Sequence, residues 1–448
     1  MRPRKPDPTL QSDMFRESLA AILDPRHELL RLAARIDWDR LDALYGATFV
    51  EHVGRPGLPT RLMVGLHLLK HIKGLSDEAV CAAWVENPYF QAFCGETHFQ
   101  HRLPADRSSM THWRKRMDGD KLEALLAETI SIAMASGAVS ERQLERVTVD
   151  TTVQTKAVAH PTDSHLMLRA IEWLNRAAAA QGVQLRQSYL RVARRARKEA
   201  ARLMHGRGHK QAKAHLRFMR TRLGRLIRDV ERKIAGDPAR TKALGNVLER
   251  ARTIHGQKPG DTRKLYALHA PEVECIGKGK ARTRYEFGVK ASLATTNERC
   301  KGGQFVLGAM SLPGNPYDGH TLGDQLDQVA RVTGRNPARA YVDRSYRGHG
   351  VDREGLEVHV SHTRGIVSPT IRRELRRRNA IEPVIGHMKQ DGHLERNALK
   401  GAKGDVINVL LCAIGHNLRL LLAWFRNLLL LILAALLFRS SAGHMRVA

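Results

Sequence analysis

Arg146-Val147-Thr148-Val149-Asp150-Thr151-Thr152-Val153 is the stretch on which the reading of this chain turns. Six of its eight residues are β-branched, the composition of a strand. Its single acid, Asp150, stands inside the run. A carboxylate in an apolar strand is costly to bury unless it is paired or holds a cation. Working outward, residues 285–293, 304–311 and Val358-His359-Val360 read as further strands, and Ala340-Tyr341-Val342-Asp343 is another short apolar run ending in an acid. Residues 321–333, with Leu322, Leu326 and Val329, read as a helix. Strands mixed with helices predict an α/β (α+β) domain over about 141–448. In open sheets the ends of strands line the ligand crevice, which makes Asp150 and Asp343 candidate functional residues.

Upstream of that strand the pattern is helical. Leu29, Leu32, Ala33 and Ile36 recur at helical spacing, as do Leu62, Leu66 and Leu69 after Pro59. Gly74 breaks the chain, Ser76 can cap a helix carrying Val80, Ala83 and a core Trp84, and Asn87-Pro88 ends it. A further short helix starts at Ser108 or Ser109 and runs through Trp113-Arg114-Lys115-Arg116. Short helices with a basic last one predict an all-α DNA-binding domain over 1–140, of helix-turn-helix type. Trp113, Arg114, Lys115 and Arg116 would contact DNA. A plain bundle with a solvated basic face is the alternative.

Charge narrows the partner. The chain has 448 residues, with 74 Lys+Arg against 45 Asp+Glu, a net +29. Such a surplus argues against a small-metabolite enzyme of ordinary charge and points to a polyanion, either nucleic acid or an anionic membrane surface. Residues 181–260 alone hold 22 Lys+Arg against 5 Asp+Glu. They belong to a long helical stretch, about 161–262, between the first two strands, with Leu185, Leu190, Leu203, Leu216, Leu223, Ile227, Val230 and Ile234 on its apolar face. This predicts a basic helical insertion that follows a phosphate backbone, with Arg194, Arg195, Arg197 and Lys198 among its contacts. A hairpin used for dimerisation is a compatible alternative. The five scattered cysteines contain no C-x-x-C pair, and the first residues show no apolar leader, so a cytoplasmic protein is expected. Residues 428–438 are uninterrupted and apolar but too few to span a membrane. They are expected in a buried C-terminal helix of about 405–438.

Taken together, these motifs resemble the DDE transposases of bacterial insertion sequences, in particular the group related to insertion sequence five. Leu58-Pro59-Thr60-Arg61 through Trp113-Arg114-Lys115-Arg116 is similar to that group's N-terminal domain. Val149-Asp150-Thr151-Thr152 matches its first-aspartate strand, and Tyr341-Val342-Asp343-Arg344-Ser345-Tyr346-Arg347-Gly348 its second-aspartate motif. Arg378, Glu382 and Lys389 stand at the spacing of the wider superfamily's Tyr-x2-Arg-x3-Glu-x6-Lys motif, with Leu375 in place of the tyrosine.

The resemblance implies an RNase H-like sheet with Asp150 on its first strand, Asp343 ending its fourth and Glu382 on a following helix. These three catalytic carboxylates would hold two Mg²⁺ ions, with Mn²⁺ as a substitute. Glu382 and Lys389, seven apart, would share one helix face, so that Lys389 reaches DNA phosphate. Pro383 suits the first turn of a new helix and could leave Glu382 as its N-cap. Arg378 would contact DNA or simply belong to the solvated run Arg372, Arg373, Arg376, Arg377. The implied partners are double-stranded DNA, as element ends and target, and a second copy of the chain as a homodimer on DNA, with no membrane and no small-molecule substrate; the cytoplasmic protein would then be nucleoid-associated. A non-transposing nuclease and an inactive DNA-binding derivative stay open. Asn315-Pro316-Tyr317-Asp318-Gly319-His320 resembles a segment near the site, or is only a turn. His387 and His393 are weaker candidates beside Glu382. His67 and His71, and Cys94 with His98 and His101, only partly match metal-ligand patterns.

Overall fold

The computed structural model describes residues 17–47, 57–206, 208–258, 260–262, 264–277, 284–362 and 368–444, with side chains as far as 427. The chain forms two compact units, Met1–Gln154 with Lys290–Ala448, and Thr155–Val289.

The first unit begins with short helices: α1 (Leu19–Ile22), α2 (Glu28–Ala33), α3 (Trp38–Gly46), α4 (Thr60–Lys73), α5 (Asp77–Glu86), α6 (Pro88–Phe93), α7 (Ser108–Arg114), α8 (Gly119–Ala135) and α9 (Glu141–Leu144). Their starts follow from local chemistry. The side chains of Asp37, Ser76, Asn87 and Asp118 accept hydrogen bonds from first-turn N–H groups of α3, α5, α6 and α8. Gly74, at φ 62°, ends α4 in the left-handed conformation. Strand β1 (Arg146–Thr155) follows.

The second unit contains α10 (Asp163–Ala180), α11 (Leu190–His205), α12 (His209–Ile234), α13 (Pro238–Gly256), β2 (Glu274–Gly277) and the first residues of β3 (Tyr285–Thr296). The four helices pack on one another around Ile171, Leu174, Met219, Leu223, Val230, Leu248 and Ile254. Alternation of these apolar residues with arginines on the outer faces is what allows so basic a stretch to fold. β2 pairs antiparallel with the start of β3, a strand not expected from the sequence.

The chain completes the first unit with the rest of β3, β4 (Val306–Leu312), α14 (Leu322–Thr333), β5 (Arg339–Val342), β6 (Glu357–Val360), α15 (Pro369–Arg377), α16 (Ile381–Gln390) and α17 (Gly401–His444). Within this unit the strand order is β4–β3–β1–β5–β6. β4 runs antiparallel to β3, while β5 runs parallel to both β1 and β6. The Asn297 N–H, just past the end of β3, donates to the carbonyl of Arg146, which opens β1, so these two strands are antiparallel.

One core runs through the unit and includes Leu66, Trp84, Leu126, Val149, Leu293, Leu410 and Phe425. The helices of the first 140 residues therefore share their core with the sheet. α17 lies against α2, α4, α8 and β4. Its approach to α4 depends on Gly415, where a Cβ would sit 2.8 Å from the His71 carbonyl oxygen. The Asn417 side chain exchanges two hydrogen bonds of 2.9 Å with the backbone of Val306 in β4. Over Gly401–Asn427, α17 is long and apolar enough to cross a membrane, but 78% of its apolar window is buried in the protein. The apolar residues 428–438 have side chains outside the described residues.

Behind the sheet, Glu374 of α15 is buried and accepts a hydrogen bond from the Tyr341 hydroxyl. It also pairs with Arg146 at 3.1 Å and Arg339 at 3.4 Å, linking α15 to the first residues of β1 and β5. Removing one partner of a buried ion network leaves the others uncompensated. Glu374→Ala is expected to destabilise the protein by about 3–5 kcal/mol, measured as a lowered urea midpoint. An unchanged midpoint would show that solvent replaces the carboxylate.

Candidate active site

The parallel register of β1 and β5 brings the two aspartates together. Arg146 pairs with Arg339 and Thr148 with Tyr341, and the same offset carried two residues further sets Asp150 opposite Asp343. Asp150 is the fifth residue of β1, and its side chain is 17% exposed. It accepts from the Thr151 N–H at 2.8 Å. Asp343 follows β5 and caps the short turn Arg344–Tyr346, accepting from the Ser345 N–H at 2.8 Å and from its hydroxyl at 2.5 Å. Ser345 thus fixes the orientation of the Asp343 carboxylate.

A third aspartate lies beside them. Asp318, on the turn after β4, accepts from Thr151 Oγ1 at 3.1 Å and from Lys290 Nζ at 3.0 Å. By sequence its segment, Asn315 to His320, fits either a site segment or a turn. The only sequence signal was the resemblance of segment 315–320; in the fold the Tyr317 hydroxyl donates to the Arg347 carbonyl and ties this turn to the loop after Asp343. Lys290 gave no sequence signal, because a lone lysine in a strand reads as an outward-facing residue.

Electrostatics show how closely these acids interact. Burial, then the charge of Asp343, pushes the Asp150 carboxyl up to about 6, against an opposing pull from Arg378. The Tyr346 hydroxyl is wholly buried, and its pKa is driven well above the ordinary tyrosine range by burial and by Asp150, Asp318 and Asp343.

Arg378 lies in a single 3₁₀ turn, Arg378–Ala380, between α15 and α16. Its guanidinium is 3.4 Å from Asp150 and 3.9 Å from Glu382. Most of the arginine is buried, so it does not belong to the solvated basic run around it. Glu382 is the second residue of α16 rather than its N-cap, because helical geometry begins at Ile381 and Pro383 fits in the first turn. Its side chain is 66% exposed. Lys389 stands two turns further along the same helix and is half-buried.

The donor chemistry of this site fits a hard divalent cation. It gathers the carboxylates of Asp150, Asp343 and Asp318, and the pKa of Asp150, raised first by burial and then by the charge of Asp343, would fall with a cation beside it. Among the described residues, no three His, Cys, Asp or Glu side chains come close enough together to hold an ion. Glu382 is the member set apart, with Arg378 between it and Asp150.

Ionising Asp150 costs folding free energy, because its folded pKa lies above the ordinary value of 3.8. That stability is complete below about pH 4 and is lost as pH rises through 6. Asp150→Asn is therefore expected to stabilise the metal-free protein at pH 8 by up to about 3 kcal/mol. In thermal unfolding the advantage should shrink toward zero by pH 4. A gain independent of pH would sink this account.

Elsewhere the structure corrects an expectation. Trp113 and Arg114 were expected to face DNA, but both are buried. The Trp113 ring packs against Tyr45 and His67, with centroids 4.8 and 6.1 Å away. Arg114 forms an ion pair with Asp77, which also binds Lys70 at 2.6 Å. A short amphipathic helix turns one side inward, and here the aromatic and the first arginine fall on that side. Lys115 and Arg116 are exposed. His67 and His71 are core residues, and Cys94 is buried against Gly65. His393 bonds the Gly74 carbonyl at 2.7 Å, and His387 pairs with Asp391 at 2.9 Å. In the second unit, Arg194, Arg195 and Lys198 are exposed on α11 and Arg197 is half-buried, while Ala193, Ala196 and Ala200 form the inner face.

The class of protein is that of transposases: residues 17–116 match the family model described as transposase domain (DUF772). Over 207 residues the chain is 52% identical to a Rhizobium meliloti protein described as "Uncharacterized protein ORF8 in nfe locus", a match covering 46% of this chain and 99% of that one. The chain belongs to the family of insertion-sequence transposases. No solved structure matches it.

Proposed function

We propose that the protein is a DDE transposase with an RNase H-like catalytic domain, which binds the terminal inverted repeats of its element, cuts the DNA there and joins the ends to a target. The observation that carries this is the register of parallel β1 and β5, which continued by two residues sets Asp150 opposite Asp343, with burial and then the charge of Asp343 raising Asp150 to about 6. The sheet supports the fold assignment: three strands antiparallel in the order β4–β3–β1 continue into parallel β5 and β6. With β2 set aside, Asp343 follows the fourth strand and Glu382 lies on a later helix, as the resemblance requires.

Asp150, Asp343 and Glu382 would hold Mg²⁺, or Mn²⁺ in its place. When bound, the metal supplies Lewis-acid activation of an attacking hydroxyl and stabilises charge on the leaving oxygen. The chain's own residues do the positioning. Ser345 orients Asp343, and Lys290 with Thr151 orients Asp318 beside the pair. Arg378, beside Asp150, and Lys389, two turns beyond Glu382 on α16, are cationic groups that suit backbone phosphates of the DNA. Lys115, Arg116 and the outer face of α11 supply further phosphate contacts, and a homodimer would bring two element ends together.

The deciding experiment incubates the protein with a duplex carrying the element end, in Mg²⁺ or Mn²⁺. Strand cleavage at the end followed by joining to a second duplex is expected. Cleavage with no joining would favour a non-transposing nuclease. Binding with neither would favour an inactive DNA-binding derivative.

A further inference from the structure

The second unit holds a cavity of about 310 Å³ that the proposed chemistry does not use. One face of α10 forms a wall of it, presenting His165, Arg169, Glu172, Trp173 and Arg176 at spacings of three and four residues. Tyr266 and His269 contribute from the segment after α13. The volume is at the lower end of the range that encloses a small ligand.

Its lining is chemically mixed in a particular way. Trp173 and Tyr266 are both half-buried and line the cavity, the Tyr266 ring also packing on Phe287. Arg250 lies 5.9 Å over the Trp173 ring and holds that indole in place. The cations outnumber the acids. Glu172 is already paired, with Arg169 at 3.0 Å and Arg194 at 3.2 Å. Arg176 makes no ion pair with a described residue and is exposed. His165 is held below its ordinary pKa by burial and by Arg169 and Arg197, so the local field is positive. An apolar ligand would leave these cations unused, and a simple anion would leave the two rings unused.

We propose that this pocket receives a single nucleotide, its base against Trp173 and its phosphate on Arg169 and Arg176. Base stacking on aromatic rings tolerates any base, because each has a π-face. A base stacked within a duplex has no face to offer, so the nucleotide is unpaired. It comes either from a DNA strand or from a free mononucleotide. The exposed Arg191, Arg195 and Lys198 on α11 favour a strand, since they extend the positive charge well past one phosphate. That choice of source rests on the DNA-acting function proposed above, whereas the pocket's affinity for a nucleotide does not.

The full-length protein is titrated with fluorescein-labelled tetrathymidylate, the same oligomer with abasic inner positions, a blunt duplex of matched length, and dTMP. Tetrathymidylate should bind and quench tryptophan emission. Trp173→Ala should weaken it by about 5- to 100-fold, with a larger loss than for the blunt duplex. Trp173→Phe, which keeps a ring and the packing, should bind within a few-fold of the parent. Arg176→Ala, at an exposed position, should also weaken binding. Equal binding of the abasic oligomer, or an equal loss for single strand and duplex in Trp173→Ala, would overturn base recognition. Binding of dTMP as tight as the oligomer would keep the nucleotide pocket and overturn the strand as its source. Failure of strand cleavage with these titrations intact would count against the transposition proposal alone.

Discussion

Asp150→Ala, Asp343→Ala and Glu382→Ala are each expected to abolish metal-dependent strand cleavage, by about 10³-fold or more, as expected for groups that stabilise charge developing at the reacting phosphate. Binding to an end-containing duplex should persist, because phosphate contacts elsewhere carry that affinity. The three variants should differ in one respect. Asp150 is a buried carboxylate beside Asp343, so Asp150→Ala should raise the thermal midpoint of the metal-free protein above pH 6, whereas Asp343→Ala also loses the Ser345 hydrogen bonds and should raise it less. Glu382 is exposed, so Glu382→Ala should lose cleavage with little change in midpoint. Full cleavage by any one of the three would remove that residue from the site. A cleavage loss matched by a large fall in midpoint would mean that the substitution had only unfolded the protein.

The combined substitution of Arg194, Arg195, Arg197 and Lys198 by alanine is expected to weaken DNA binding and flatten its salt dependence. Each phosphate contact contributes about 0.9 to the slope of log K against log salt on duplex DNA. Arg194 is engaged with Glu172, so the slope should fall by about 2.7, nearer to three contacts than to four. Affinity at moderate salt should drop by about two orders of magnitude. The buried alanines of α11 face the helical core, so these outer substitutions should leave the unit folded, checked by an unchanged circular dichroism spectrum. An unchanged slope with a shift in oligomeric state would assign this face to dimerisation instead.

Much of the fold could be read from local patterns. Six β-branched residues around Asp150, apolar periodicity in the helices, and caps such as Ser76 and Asn87 act through neighbours in sequence, so their signals are local. The length of β3 to Thr296 and the short strand β2 were missed, because strand ends depend on the partner strand more than on propensity. The insertion was read as one helical stretch. Its division into α10–α13 around a shared core depends on which apolar faces meet.

The sequence by itself determined the kind of surface this protein has, the presence of Asp150 within a strand and of Asp343 at the end of another, and the spacing of Arg378, Glu382 and Lys389. Composition and periodicity are properties of the chain, so they survive without coordinates. Only the tertiary structure decided which side chains meet. The parallel register of β1 and β5 set Asp150 opposite Asp343, although 192 residues intervene. Packing turned Trp113 and Arg114 into the core, brought Asp318 and Lys290 beside the acids, and set Arg378 between Asp150 and Glu382. Those outcomes depend on distances across the fold, and burial and charge act through such distances, which the order of residues along the chain does not specify.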